Sequence, residues 1–396
     1  GRDMRKNRFL LTFVFGIMLT LLSIVPTIAQ GDEIVISVAM PELIGGQISQ
    51  DVFDQFEAEH PNIRVHRVNE GEFSYGMATP ILSVDDQLDA VADYVTTADV
   101  LAISPSWMTQ EATRAGYYLD MTPLVTSDPD LNPDDFYAVL YDSYQWDLGF
   151  WALPVSTDVV TLIYQPEAFD AAGVEYPQDW WTIDDFENAA RALAEYDNNG
   201  NVTAPAFVDF SGNTSLIFMS LLGHGLYDDS VIPSVPSYTD PMLEELVTRW
   251  KDMEDDGVIG LLASADLELT PPMSLAPSLF AYNAAQDTEN QLATLPGGAV
   301  GLNVNGFAIS AGTQYPQAAY ELIKFLTTRP EVANAFFPMV LTGRKSIADV
   351  EINSEFTSLF AVPEEIANAA IENGLPVSEA RFGTYINPVL TQITQN

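Results

Sequence analysis

Residues 149–165 read GFWALPVSTDVVTLIYQ, and the reading of this stretch decides the fold. Phe150 and Trp151 open it, and an apolar run, Ala-Leu-Pro-Val, follows. A polar triplet, Ser156-Thr157-Asp158, then interrupts before Val-Val-Thr-Leu-Ile-Tyr. The second run is β-branched and nearly all apolar, which predicts a buried strand. Pro154 suits a strand edge or entry rather than a central ladder position. A carboxylate between two buried runs is expensive to bury unless something pairs with it. Two readings follow: a turn Asp at the end of a hairpin, or a strand passing from one lobe to another with Asp158 facing the cleft between them.

Working outward, the chain is long enough for two domains, at 396 residues, and 47% hydrophobic content supplies a core for each. Its 56 acidic and 15 basic residues leave a net charge of −41. That excludes a nucleic-acid partner, which needs a basic surface, disfavours an anionic ligand, and favours a soluble monomer. With no cysteine there is no disulfide, thiolate metal site, thiol nucleophile or lipid-modified Cys. Arg5, Lys6 and Arg8, the apolar run Phe9 to Val25, and Thr27-Ile28-Ala29 read as a secretory leader cleaved after Ala29, with an uncleaved anchor as the other reading.

The next elements predict an α/β opening. A strand over Glu33 to Met40 precedes a helix over Gln50 to His60, with Val52, Phe53 and Phe56 inward, and a second strand follows over Ile63 to Val68. Ligands of open α/β sheets sit at the carboxyl ends of strands, which places Glu42 and the loop 69–75 near a cleft; a solvated loop residue is the other reading of Glu42. Residues 98–108, ADVLAISPSWM, predict a short strand followed by a helix with Ser106 as its cap; Trp107 is either core or a flat face for a ligand. Thr182 predicts an N-cap for the helix 183–195, with Trp181 packed beneath it. Asp197 to Asn201 reads as a plain turn, since it lacks the ligand alternation of a calcium loop. Residues 206–213 predict a strand running into a polar loop, then a helix over 214–222. A long helix over 241–255 is capped by Thr239 or Asp240. Asn303 and Asn305 alternate on one strand face; they either satisfy each other and nearby backbone or turn two amides to a cleft. No phosphate loop, His-Glu-x-x-His or Gly-x-Ser-x-Gly motif occurs, and His60, His66 and His224 lack metal-ligand spacing. No metal and no cofactor is expected.

The stretch LPVSTDVVTLIYQPEAFDAAGVEYPQDWWTIDDFENAARALAE, residues 153–195, resembles the hinge segment of the extracellular solute-binding proteins of ABC importers, the group that includes the maltodextrin-binding protein. Gln165 stands where that family has Asn. The run LPGGAVGLNVNGFAIS, residues 295–310, resembles the family's return crossover, and the similarity extends along almost the whole chain. The resemblance implies a two-lobed periplasmic-binding-protein fold of α/β class with hinge crossovers near 156–161, 298–304 and 329–338. One lobe would comprise 30–157 plus 300–331. The other would comprise 158–299 plus 332–396, and the chain would stop short of the family's final helix. It further implies that Phe210, Ser211 and Asn213 face the hinge across the cleft, that Arg344 lies in a family turn, and that Tyr385 occupies a frequent aromatic position; Phe280 and Tyr282 are weaker candidates. The implied function is capture of a neutral sugar or oligosaccharide outside the cytoplasmic membrane, in a periplasm or at the cell surface, and delivery to an ABC permease. Two other readings stay open: the same scaffold binding a cationic solute such as a polyamine, and a secreted carbohydrate-active enzyme using Asp158 and Glu42 as a carboxylate pair.

Overall fold

The computed structural model describes residues 33–68, 84–261, 270–278, 290–336, 339–348 and 362–377. The expected leader, the loop 69–75, Phe280, Tyr282 and Tyr385 lie outside the described residues.

The stretch 149–165 is a strand through its polar triplet. It runs unbroken from Ala152 to Tyr164, and all 13 residues are buried. Ser156, Thr157 and Asp158 take ladder positions opposite Asn305, Val304 and Asn303, so the hairpin-turn reading of Asp158 is excluded. The strands, numbered along the chain, are β1 (Ile34–Ala39), β2 (Ile63–Val68), β3 (Val100–Ile103), β4 (Ala152–Tyr164), β5 (Phe207–Asp209), β6 (Ile259–Leu261), β7 (Met273–Pro277), β8 (Gln291–Ala293), β9 (Val300–Ile309), β10 (Leu341–Thr342) and β11 (Gly374–Pro376). They form one sheet in the order β6-β5-β7-β4-β9-β3-β1-β2, with β8 and β10 also on β4 and β11 on β9. The strands β1, β2 and β3 are mutually parallel, as are β5, β6 and β7. These two sets are the strands of the two lobes, and the antiparallel pair β4–β9 joins them.

Each lobe has its own apolar cluster. In the first, Phe53 and Phe56 of α1 (Gln50–Glu59) meet Phe307, Leu322 and Phe325. In the second, Phe186 of α2 (Ile183–Leu193) stacks on Trp250 at 5.5 Å, and Phe207 meets the same indole edge-on at 5.6 Å. A third cluster, from Trp107 and Tyr144 to Val304 and Leu302, includes Ala370 of the helix Glu364–Glu372. The helices expected at 50–60, 183–195, 214–222 and 241–255 are found as Gln50–Glu59, Ile183–Leu193, Ser215–Leu222 and Pro241–Asp255. Thr182 and Asp185 form a reciprocal capping box on α2, and Asp240 caps Pro241–Asp255.

Two expectations differ from the structure. The helix after β3 is Gln110–Arg114, capped by Thr109 rather than Ser106; residues 105–107 form a turn. The expected change of lobe at 331–332 falls inside a segment packed on the first lobe, because Val332, Ala333, Ala335, Phe336 and Ile347 all join the first cluster. Between these residues the chain touches β4, where Thr342 pairs with Ser156.

Pro154 is accommodated by a β-bulge between Asn305 and Gly306. Glycines crowd the strand here from both sides. A Cβ on Gly306 would lie 2.5 Å from the Leu153 carbonyl oxygen, and one on Gly343 would lie 2.4 Å from that of Pro154. Backbone cannot yield as a side chain can, so Gly306→Ala should destabilise the protein by about 1–3 kcal/mol. Thermal unfolding of the variant measures this, and an unchanged midpoint would show that the bulge relaxes freely.

Candidate ligand-binding site

The sheet registers bring the carboxyl ends of both parallel sets to one place. Ile103, the last residue of β3, lies opposite Gly306, next to Asn305. From the other lobe, Asp209 at the end of β5 aligns with Leu275, and Pro277 at the end of β7 lies opposite Val160. The meeting point is residues 156–160 of β4 with 301–305 of β9. Residues directly opposite in an antiparallel pair share a face. Ser156, Asp158, Asn303 and Asn305 therefore form one polar patch. On β9 it is flanked by Phe307, in the first lobe's cluster, and by Gly301, over which Leu216 of the second lobe packs.

This patch reaches solvent on its β9 side. Strand β9 is buried throughout except at Asn303 and Asn305, which are half-buried. Neither amide makes a side-chain hydrogen bond to another described residue, so both retain donors and acceptors for a ligand. Asp158 is only 2% exposed and accepts a 2.5 Å hydrogen bond from Ser278 Oγ. Burial pushes its carboxyl up to about 7, and the hydrogen bonds from Ser278 and the Val159 backbone only partly oppose this. The Ser156 and Thr161 hydroxyls are buried without partners.

The second lobe's contribution is held by Asp209, which sequence reasoning passed over. Its carboxylate accepts from Ser211 N and Oγ at 2.8 Å, Gly212 N at 2.9 Å and Thr214 Oγ1 at 2.7 Å. Burial raises its pKa against these bonds. The readable signal was a strand-end Asp followed by Ser-Gly-Asn-Thr, the composition of a side-chain-closed turn. Asp209 fixes the loop that carries Phe210 and Asn213, both half-buried; the Asn213 amide donates to Ser211 O at 2.8 Å.

The remaining candidates fall elsewhere or are engaged. Glu42 starts the short helix Glu42–Gly45 directly after β1, and its side chain lies outside the described residues. Ser106 is half-buried, with its Oγ 2.9 Å from Ser104 Oγ. Trp107 is 3% exposed and packs against Tyr94 at 4.9 Å, so its ring faces are part of the core. Arg344 is a packing residue of the first lobe: it donates to Asp135 and Thr327, both at 3.1 Å, and lies 4.2 Å over the Phe136 ring. The Asp197 carboxylate is taken up by Asn199 and Asn201 in a turn. Among the described residues no group of three or more His, Cys, Asp or Glu side chains could hold a metal ion.

Asp158 makes stability pH-dependent. The folded protein holds its proton to about pH 7, whereas the ordinary value is 3.8. The contribution is therefore fully present below the ordinary value and is lost as pH rises through about 7. Between pH 4.5 and 8 the wild type should lose more stability than Asp158→Asn, at about 1.4 kcal/mol per pH unit of displaced titration. Denaturant unfolding at the two pH values measures it; equal losses in the two proteins would show that Asp158 is ionised throughout.

Comparison with known proteins follows the same lines. No curated protein matches the chain in sequence. Among solved structures, similarity extends over nearly the whole chain. An ABC substrate-binding protein of Listeria monocytogenes in complex with cycloalternan is 18% identical, with a TM-score of 0.62 over 92% of this chain and 94% of that one. The galacto-N-biose/lacto-N-biose I-binding protein of a Bifidobacterium longum ABC transporter is 17% identical, with a TM-score of 0.64 over 92% and 93%. A cyclic α-maltosyl-1,6-maltose binding protein from Arthrobacter globiformis is 16% identical, with a TM-score of 0.59 over 91% and 97%. At such identities these likenesses establish the two-lobed fold. The family model for bacterial extracellular solute-binding proteins matches residues 41–333, and the chain belongs to that family.

Proposed function

We propose that this chain captures a neutral sugar or short oligosaccharide between its lobes and delivers it to the permease of an ABC importer. The observation that carries the reading is the pair of half-buried, unengaged amides, Asn303 and Asn305, on a face flanked by both lobes. Sugar hydroxyls both donate and accept, which such amides match, and a ligand that touches both lobes favours their closure. The three proteins named above are described as a complex with cycloalternan, a complex with lacto-N-biose, and a cyclic α-maltosyl-1,6-maltose binding protein, which supports a sugar ligand. The expected leader ending at Ala29 belongs to the same proposal, since the ligand would be met outside the cytoplasmic membrane. Among the described residues no helix is long and apolar enough to cross a membrane.

A polyamine site is less well supported. Cations call for ionised carboxylates, and Asp158, the carboxyl on this face, is pushed towards its neutral form and engaged by Ser278. The same burial makes Asp158 a poor partner in a glycosidase pair, which needs open access to a bond and to water. Members of the family are binding proteins.

A thermal-shift screen against neutral oligosaccharides, amino acids and polyamines tests the reading, since a ligand that binds only the folded state raises the melting temperature. An oligosaccharide should raise it with chelator present, and Asn303→Ala and Asn305→Ala should each weaken binding by about 0.5–1.5 kcal/mol. Stabilisation by polyamines alone would replace the sugar reading with the cationic one.

A further inference from the structure

We propose that Ser234 is the pin of a clasp that fastens the second lobe to the first, apart from the hinge strands. This deepens the capture function proposed above, but it depends on the two-lobed fold and not on the identity of the ligand.

The hairpin formed by Tyr227–Asp228 and Val235–Pro236 rises from the second lobe. Leu226 belongs to that lobe's cluster, Tyr227 packs against it, and Ser237 N donates to Leu226 O at 2.9 Å. Ser234, the last residue of the loop that joins the two strands, is 3% exposed, and its hydrogen bonds run to the first lobe. Gln110 Nε2 donates to Ser234 Oγ, Arg114 Nη2 donates to Ser234 O, and Ser234 N donates to Asp147 Oδ1, each at 2.7 Å. Arg114 and Asp147 are themselves paired, with Nε donating to Oδ2 at 2.7 Å and Nη2 to Oδ1 at 3.2 Å. The ion pair thus offers one further donor and one further acceptor, and the backbone of a single residue from the other lobe takes both. Charge-assisted bonds of this kind are about twice as strong as neutral ones. Burial raises the Asp147 carboxyl, but bonds from Arg114 and Ser234 outweigh it and hold the group below its ordinary range. Gln110 and Arg114 lie on the short helix that follows the carboxyl end of β3, so the clasp meets the first lobe on its cleft side.

The turn that presents Asp147 breaks a local rule. Asp147 and Leu148 join the two-residue strands Gln145–Trp146 and Gly149–Phe150, and both have left-handed backbone, at φ 53° and 66°. Hairpins of this kind ordinarily use Asn-Gly or Asp-Gly. Leu148 is 78% exposed, so packing of its side chain does not hold it there. Strain of this sort persists where the surroundings over-determine it and gathers at working parts of a protein. A second penalty is built in, because Gln110 is fully buried and its Oε1 has no partner. Opening the clasp would hydrate that oxygen. Strong bonds set against the unpaired Gln110 oxygen make a fastening that holds and can be released.

The test is the distance between the lobes in solution without added solute. The chain has no cysteine, so spin labels on Ser127→Cys in the first lobe and Glu175→Cys in the second report the separation by double electron–electron resonance. The wild type should show a short-separation population. Arg114→Ala and Asp147→Ala should each shift the long-to-short ratio by about tenfold, the effect of one charge-assisted bond. Arg114→Lys, which keeps the charge and loses the fork, should fall between. Ser234→Ala, which keeps both backbone bonds, should shift the ratio less, and it serves if either charged variant melts below the wild type. A distribution that none of the four substitutions alters would overturn the clasp. Failure of every sugar in the thermal-shift screen would overturn the capture reading and leave this result standing.

Discussion

The antiparallel pairing of β4 with β9 is the constraint on which the rest of the molecule depends. Among the described residues, both lobes' strand sets attach to its rungs, which run from Ala152–Ala308 to Val160–Gly301. The parallel strands of each lobe attach to this pair from opposite ends, so their carboxyl ends converge on its middle. A polar patch in the middle of a buried pair is costly to desolvate. It is tolerated because Ser278 engages Asp158, because Asp158 tends to the neutral form, and because the two asparagines keep partial contact with solvent. The position of the patch is thus a consequence of topology, since the polar triplet of the longest described strand falls where the strand ends of the two lobes converge.

In so acidic a chain the cations are spent on internal order. Arg249 ties α2 to the long helix Pro241–Asp255 through Glu187, Lys324 meets Asp128, and Arg344 meets Asp135. The Arg344 pair is the most buried of those among the described residues, with side-chain exposures of 6% and 18%. Removing either partner would strand a buried charge, which is far more damaging than the pair itself is stabilising. Exposed pairs such as Lys251 with Asp255 contribute little.

Much of the fold was legible because patterning and topology agree. The helix bounds at 241–255, the strand bounds at 63–68, and the caps at Thr182 and Asp240 follow from local chemistry that tertiary contacts did not override. Asp158, Asn303 and Asn305 could be tied to one place because the hinge resemblance covered both strands, and the register then joins them. What failed was anything decided by the neighbourhood of a side chain. Arg344 and Trp107 carry suitable chemistry, but burial assigns them to packing, and burial is a property of distant segments. Asp209 and Ser234 were missed for the converse reason. An Asp closing a loop and a Ser at a hairpin tip are ordinary in sequence, and only the fold shows what their atoms meet. The Asp-Leu turn at 147–148 carried no signal either, since its left-handed backbone contradicts the residue types that normally announce it.

The order of segments along the chain bears on how the molecule assembles. The core of the first lobe closes only when Phe307 and the helix Pro316–Leu326 arrive beside Phe53 and Phe56, some 250 residues downstream. Most of the second lobe's cluster lies within one continuous stretch, from Val160 to Leu295. Loop closure over so long a separation is entropically the later event. The half of the chain made first is therefore the half finished last. Until the return strand pairs, the first lobe's strands and helices would be an open layer, with Phe53 and Phe56 lacking the partners that close over them.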